Sequence, residues 1–98
     1  MSGKNIKNNE IIKAVALSYD NIGDEAPIVI AKGRGSIAKK ILDSAKEHDI
    51  SIVQNPKLVN SLMPISLGDH IPIELYEAVA HIFVYLSTID NKVGDRNE

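Results

Sequence analysis

The segment from Ile71 to Ile89 has the clearest periodic pattern in the chain. Its apolar residues recur three and four positions apart, which places them on one face of an α-helix. This stripe consists of Leu75, Ala78, Val79, Ile82, Phe83 and Leu86. A helix with one apolar face must bury that face against another element, so the remainder of the chain has to supply a packing surface.

Two short runs rich in β-branched residues precede this helix and predict strands. Ile11–Leu17 ends at a polar turn sequence, and Pro27–Ala31 begins with a proline, which donates no hydrogen bond and suits the first position of a strand. The three consecutive β-branched residues 28–30 predict a strand that is covered on both faces. A third short strand is predicted over Ile50–Val53.

Two more helices are predicted between these strands and the last helix. Ser36 is expected to cap a helix that ends near His48. Asn55 is expected to cap a second helix, with Pro56 at its first position and its end near Met63. Both predictions depend on residue types that satisfy or tolerate the unpaired N–H groups of a helix start.

The order of these elements predicts an α/β fold. A strand, a helix and a strand between residues 27 and 53 favour a right-handed parallel crossover. We therefore expect a small mixed sheet of three strands, or four if residues 5–8 add an edge strand, packed by three to four helices. Residues 1–10 are expected to be a flexible segment, residues 11–89 the folded domain, and residues 90–98 a charged flexible tail.

Composition excludes several function classes. Eleven Lys and Arg against thirteen Asp and Glu give a formal net charge of −2, which argues against a nucleic-acid partner because such proteins need a concentrated basic face. Cysteine is absent, so disulfides and thiolate metal sites are excluded. No apolar run approaches the roughly 20 residues that cross a bilayer, and the N-terminus lacks a signal-peptide pattern. We expect a cytoplasmic domain without direct membrane insertion.

One loop has the pattern of a phosphate-binding turn. Residues 33–38 read G-x-G-x-x-A between a predicted strand and a predicted helix, where helix amides could hold an anion. The predicted contacts are Gly33, Arg34, Gly35 and Ser36. No acidic residue follows the next strand to bind a ribose hydroxyl, and the two glycines equally suit a tight turn. A small nucleotide- or anion-binding domain is therefore the alternative function.

Other chemistry has little support in the sequence. His48, His70 and His81 are not spaced as metal ligands on one helix face, and no serine lies in a G-x-S-x-G turn. We predict no metal, no cofactor and no enzymatic activity. Tyr76, Val84 and Tyr85 fall outside the main stripe of the last helix and could contact a partner.

The ordered set of short motifs resembles one protein family over about residues 9 to 89. The stretches that carry the resemblance are Ala14–Asp20, Ala26–Gly33, Ala45–His48, Asn55–Leu58 and Gly68–Ala80. They are similar to the cytoplasmic C-terminal domain of the FlhB/YscU/SpaS export-switch proteins of flagellar and injectisome type III secretion. The resemblance implies that family's fold.

The resemblance also identifies a degenerate autocleavage position. The family's motif is Asn-Pro-Thr-His just before the first strand, and its Asn–Pro bond is thought to break by attack of the Asn side-chain amide. The aligned residues here are Asn9, Glu10, Ile11 and Ile12. The proline and both polar neighbours are replaced, so we predict no self-cleavage at Asn9.

By resemblance, the chain is a stand-alone, FlhB-like accessory of the export apparatus. It would stand in for or modulate the switch domain of the full-length protein. Its partners would be the export gate, export substrates and the membrane half of a full-length homologue. It would be recruited from the cytoplasm to the export apparatus at the inner membrane. One physical route is strand pairing between Ile11–Leu17 and a remaining stub. The family's apolar contact surface maps onto Ala26, Pro27, Ala80 and Phe83.

Overall fold

The computed structural model describes residues 11–19 and 26–97, with side chains described as far as residue 88. In chain order the elements are strands β1 (Lys13–Ser18) and β2 (Ile28–Arg34), helices α1 (Ser36–Glu47) and α2 (Pro56–Leu62), a 3₁₀ turn (Ile73–Leu75) and helix α3 (Tyr76–Asn97). Residues 1–10, including the predicted edge strand at 5–8, lie outside the described residues.

The sheet is an antiparallel pair with a bulge in β2. Ser18 lies opposite Ile28 and Leu17 opposite Val29, but Ala16 lies opposite Ala31, so Ile30 is the extra residue. A bulge turns one side chain out of the regular alternation, and Ile30 is accordingly 57% exposed. The prediction that residues 28–30 are covered on both faces is therefore wrong at Ile30.

The start of β2 is also held along its second edge. The Val29 N–H donates to the Asp69 carbonyl at 3.0 Å, and the Gly68 N–H donates to the Val29 carbonyl at 2.8 Å. The Ile71 N–H donates to the Pro27 carbonyl at 2.9 Å. This segment, residues 68–71, makes one isolated antiparallel bridge rather than a strand.

The predicted third strand is absent from the described residues. Ile50–Val53 has no regular secondary structure, and all four residues are exposed. The parallel crossover over residues 27–53 is therefore wrong. β-branched residues favour a strand only where a neighbouring strand supplies hydrogen bonds and packing, and β1 pairs with β2 on its other side. The α/β class is confirmed, with a two-stranded antiparallel sheet and three helices over the described residues.

The first two helices follow the predictions, with one correction at the start of α1. The N-cap of α1 is Gly35, and Ser36 is the first helical residue and makes no capping bond. In α2, the Asn55 side chain accepts from the Leu58 N–H at 3.1 Å, so the predicted cap is confirmed.

Helix α3 begins later and ends later than predicted. The 3₁₀ turn precedes it, and it continues from Tyr76 to Asn97 rather than ending at Ile89. Residues 90–97 contain no proline, and charged residues such as Lys92 and Arg96 have good helix propensity. The tail at 90–98 is therefore helical in its backbone through Asn97.

The core lies between β2, α2 and α3. Its buried members are Ala26, Val29, Leu58, Leu62, Ile71 and Val79. Half-buried apolar residues pack around it: Val15, Leu17, Ile65, Leu75, Ile82 and Phe83. This core fixes the faces of β1 and α3 that border the groove described next.

Candidate docking groove

An open groove, here called the β1 groove, lies beside β1. Residues 11–17 line one side of it and residues 50–56 line another, with parts of α1, α2 and α3 between them. Its volume is about 1790 Å³. Pockets for small molecules typically measure ~300–1,000 Å³ and are largely enclosed, so the dimensions suit a polypeptide segment better than a small ligand.

The pattern of lining residues shows that the groove follows the edge of β1. Every residue from 11 to 17 contributes, whereas β2 contributes only Ile30 and Arg34. Successive side chains of a strand point to opposite faces, so a groove on one sheet face would be lined by alternate residues. Within the described residues, β1 pairs with β2 alone, which leaves its other edge towards the groove.

Exposed apolar side chains are concentrated around this groove. Of thirteen large apolar residues exposed in the described part of the chain, nine line it: Ile11, Ile12, Tyr19, Ile30, Ile50, Ile52, Val53, Tyr76 and Val84. Contiguous exposed apolar surface of this kind marks a docking site more often than a solvent face. We therefore take the groove as the candidate docking surface of the described residues.

The charged residues of the groove are mostly basic. Its described lining contains Lys13, Arg34 and Lys46 with one acidic residue, Asp49. Lys13 and Arg34 are direct cross-strand partners, and like charges in that position repel each other. The Lys13 ammonium donates to the Asn60 side-chain oxygen at 2.8 Å. Among the described contacts, no carboxylate therefore offsets the repulsion between Lys13 and Arg34.

The four residues predicted to contact partners separate into two groups. Ala26 is 1% exposed and belongs to the core. Pro27 is also buried, although it lines the groove, and its carbonyl accepts from the Ile71 N–H. The expectation that these two form an exposed surface is wrong, because both residues are buried and Ala26 packs in the core cluster. Ala80 is exposed and lines the groove, and Phe83 is half-buried there.

Phe83 links the groove to the core. It packs against the buried cluster, and its ring lies 5.4 Å from that of Tyr19, tilted by 41°. Aromatic pairs at this separation are favourable beyond their buried area. Phe83 therefore supports one wall of the groove while being only partly available to a partner.

The loop at residues 33–36 is accounted for by packing and turn geometry. Gly35 has φ 58°, a conformation that L-residues adopt at a cost. A Cβ on Gly33 would overlap Ile37 of α1, so this strand approaches its helix too closely for a side chain. The Gly35 N–H already donates to the Ile12 carbonyl at 2.7 Å.

The neighbouring lysine is also engaged elsewhere. The Lys32 ammonium donates to the Met63 carbonyl at 2.9 Å and to the Ile65 carbonyl at 2.5 Å. These carbonyls lie just beyond α2, where a cation is favoured by the helix dipole. Among the four predicted anion contacts, Arg34 is the one charged residue, and turn geometry and packing account for the two glycines.

The histidines are surface residues and form no site with one another. His81 lies 4.0 Å from Glu77 in an exposed pair one helical turn apart, and the His48 ring contacts the Ser44 carbonyl at 2.8 Å. Over residues 11–19 and 26–97, no group of three possible metal ligands comes together. Asn9 and Glu10, the degenerate cleavage position, lie outside the described residues. None of the helices described is long and apolar enough to cross a membrane.

Comparison with known proteins identifies the family. The profile of the FlhB HrpN YscU SpaS Family matches residues 8–86. The chain belongs to this family. The match covers both strands, both shorter helices and the first part of α3, so it includes the complete described core.

Two relatives differ in how much of their own length matches this chain. It is 41% identical over 86 residues to the uncharacterized protein YlqH of Bacillus subtilis, covering 88% of this chain and 92% of YlqH. It is 41% identical over 81 residues to the flagellar biosynthetic protein FlhB of Aquifex aeolicus, covering 82% of this chain. The chain spans 23% of the length of that FlhB.

The fold of this chain matches a solved structure of a cytoplasmic FlhB domain. The crystal structure of the cytoplasmic domain of FlhB from Shewanella putrefaciens matches with a TM-score of 0.79 at 35% identity. The match covers 86% of this chain and 69% of that chain. The resemblance to the C-terminal domain of this family, inferred from short motifs, is confirmed.

Sequence reasoning missed the residues that make the groove of this FlhB-like domain. The sequence predicts Ile50–Val53 as a short strand and Ile30 as a residue of a strand covered on both faces. The one sequence feature that argues against a strand at 50–53 is the shortness of the run, because four residues form a stable strand only beside a neighbouring strand. The bulge at Ile30 has no signal in the sequence that we can identify.

Proposed function

We propose that this chain is a non-enzymatic accessory of the flagellar or type III protein export apparatus. It stands in for, or modulates, the substrate-specificity switch domain of a full-length FlhB-like protein. The observation that carries the proposal is the match of 86% of the chain to the cytoplasmic domain of FlhB. Its place is the cytoplasm, with recruitment to the apparatus at the inner membrane.

The β1 groove supports this role physically. A strand supplied by another chain can pair with the outer edge of β1, because an exposed sheet edge offers main-chain hydrogen bonds in a fixed register. The partners of the proposal are the export gate, export substrates and the membrane half of a full-length homologue. Ala80 and Phe83 lie where such a partner would contact α3.

The proposal includes no self-cleavage. Asn9 is followed by Glu10, Ile11 and Ile12, so the bond after it is an ordinary secondary amide that lacks the proline, threonine and histidine of the family's motif. Asn55–Pro56 is the other candidate bond, and there the Asn55 side chain is engaged as a helix cap. The purified protein should keep its full mass after several days at neutral pH, and fragments split after Asn9 would contradict this part of the proposal.

Copurification with the truncated partner tests the role. The bait is the membrane half of the organism's full-length FlhB-like protein with its cytoplasmic stub, purified in detergent, and the prey is wild type, Ala80→Asp or Ala78→Asp. Both alanines are exposed on α3, but only Ala80 lines the groove. We expect wild type and Ala78→Asp to be recovered equally and Ala80→Asp at a small fraction of that amount. Absence of wild-type recovery, or equal recovery of all three, would refute the proposal.

A further inference from the structure

We infer that Lys13, Arg34 and Asn60 form a carboxylate-binding site, and that its ligand is the side chain of an Asp or Glu in a partner polypeptide. The inference rests on the proposed function, because it gives the chemistry of one contact with the partner proposed there. The site is made of side chains, which stand on a face of the sheet. It requires no backbone pairing between the partner and this chain.

Strand geometry brings the two cations together. Lys13 and Arg34 lie directly opposite each other on β1 and β2. The Gly35 N–H donates to the Ile12 carbonyl at 2.7 Å, so the adjacent pair is the hydrogen-bonded one and Lys13–Arg34 is a non-hydrogen-bonded pair. Residues in such a pair have Cα atoms about 4.5 Å apart and side chains on the same sheet face. The fold therefore holds two positive charges side by side.

Asn60 adds further hydrogen-bond donors. Its side-chain oxygen accepts from the Lys13 ammonium at 2.8 Å, which occupies the acceptor of the amide and leaves its NH₂ group to donate. The ammonium and the guanidinium of Arg34 also have N–H groups that no described contact uses. All three side chains are exposed and line the β1 groove. The site thus offers several donors, which is the chemistry that binds an anion.

Charge and shape both favour a carboxylate. A guanidinium binds the two oxygens of a carboxylate through parallel hydrogen bonds. A carboxylate between Lys13 and Arg34 would replace their mutual repulsion by two attractions. The whole chain has a formal net charge of −2, so a preference for acidic ligands has to come from this site and not from a general positive field.

The surroundings favour a side chain over a chain end. Residues 11 and 12 line the groove on one side of Lys13, and residues 14–17 line it on the other. A polypeptide can therefore continue past the site in both directions, whereas a C-terminal carboxylate would have to stop there. The favoured ligand is an Asp or Glu within a partner chain.

Nuclear magnetic resonance titration of the full, isotope-labelled chain tests the inference. The probes are the capped peptide Ac-Gly-Gly-Glu-Gly-Gly-NH₂, the same peptide with Gln in place of Glu, and Ac-Gly-Gly-Gly-Gly with a free C-terminal carboxylate. Glycine disfavours strand formation, so these probes report on the carboxylate. We expect the Glu peptide to shift the side-chain N–H signals of Arg34 and Asn60 in a saturable way. The Gln peptide should not do so, and the chain-end peptide should bind more weakly than the Glu peptide.

Arg34→Gln separates binding from folding. It should weaken binding of the Glu peptide by about threefold to fivefold, the size expected for loss of one exposed ion pair. Lys39→Gln is the matched control, because Lys39 is exposed on α1 but lies outside the groove, and binding should not change. The urea midpoint of Arg34→Gln should not fall, since the variant removes a repulsion. Binding of the Glu peptide to wild type should weaken in 1 M NaCl, because salt screens exposed charges.

Several results would overturn the inference. These are the absence of saturable shifts with the Glu peptide, equal binding of the Gln peptide, tighter binding of the chain-end peptide, or equal binding by wild type and Arg34→Gln. If any of these occurs while the membrane half of the FlhB-like partner is still captured as described above, the inference fails and the proposed function stands. If the Glu peptide binds as expected but the membrane half is not captured, the carboxylate site stands and the proposed function fails.

Discussion

Substituting Gly33 tests the account of the strand-to-helix turn. Gly33 has an ordinary backbone conformation for an L-residue, but a Cβ there would overlap the Ile37 side chain and come within 2.7 Å of its Cβ. Gly33→Ala therefore forces β2 and α1 apart. Overpacking of this kind costs about 1–3 kcal/mol, which corresponds to a fall in Tm of roughly 4–8 °C per kcal/mol for a domain of this size.

Urea denaturation followed by circular dichroism measures this loss directly. The midpoint should fall while the m-value stays constant, as expected when the folded state alone is strained. Adding Ile37→Ala removes the branched methyl contact but leaves the close Cβ, so the double variant should recover part of the loss. Ser36→Ala is the control and should change stability by less than about 0.5 kcal/mol. Wild-type stability for Gly33→Ala would refute the close approach of strand and helix.

Three further predictions follow from single contacts. Asn55→Ala removes the cap on the Leu58 N–H and should cost about 1 kcal/mol in the free energy of unfolding; an unchanged urea midpoint would contradict the cap. Lys32→Met keeps the aliphatic stem but leaves two carbonyls without their donor, and should cost about 1–2 kcal/mol, whereas the exposed Lys39→Met should be nearly neutral in the same assay. Millimolar ATP should leave the Tm unchanged, since a ligand that binds only the folded state raises it; a rise would restore the nucleotide-binding alternative.

The sequence determined the helices well and the sheet poorly. The inner face of α3 follows from the spacing of apolar residues such as Val79 and Phe83, and the α2 cap follows from Asn55 and Pro56, because both signals are local. The third strand is predicted from residue types alone, whereas strand formation depends on a neighbouring strand that can lie far away in the sequence or on another chain. Ile50–Val53 has the composition of a strand, but the described chain offers it no partner.

The predicted contact surface failed at β2 for a related reason. Ala26 and Pro27 precede a strand, which suggested a loop at the surface, yet residues 68–71 return across them through backbone bonds to Pro27 and Val29. Such a contact joins segments about forty residues apart in sequence, and no local pattern encodes it. The prediction at Ala80 comes from the family resemblance alone, and the structure has this residue exposed on α3 beside the groove.

Motility measures the central claim most directly. In a strain whose full-length FlhB-like protein is truncated after its membrane half, swarm diameter is compared with this chain present, deleted, or replaced by Ala80→Asp and Ala78→Asp. The account predicts motility with wild type and Ala78→Asp, and its loss on deletion and with Ala80→Asp at equal protein levels. Unchanged motility of the deletion strain would contradict a role for this chain in place of the switch domain.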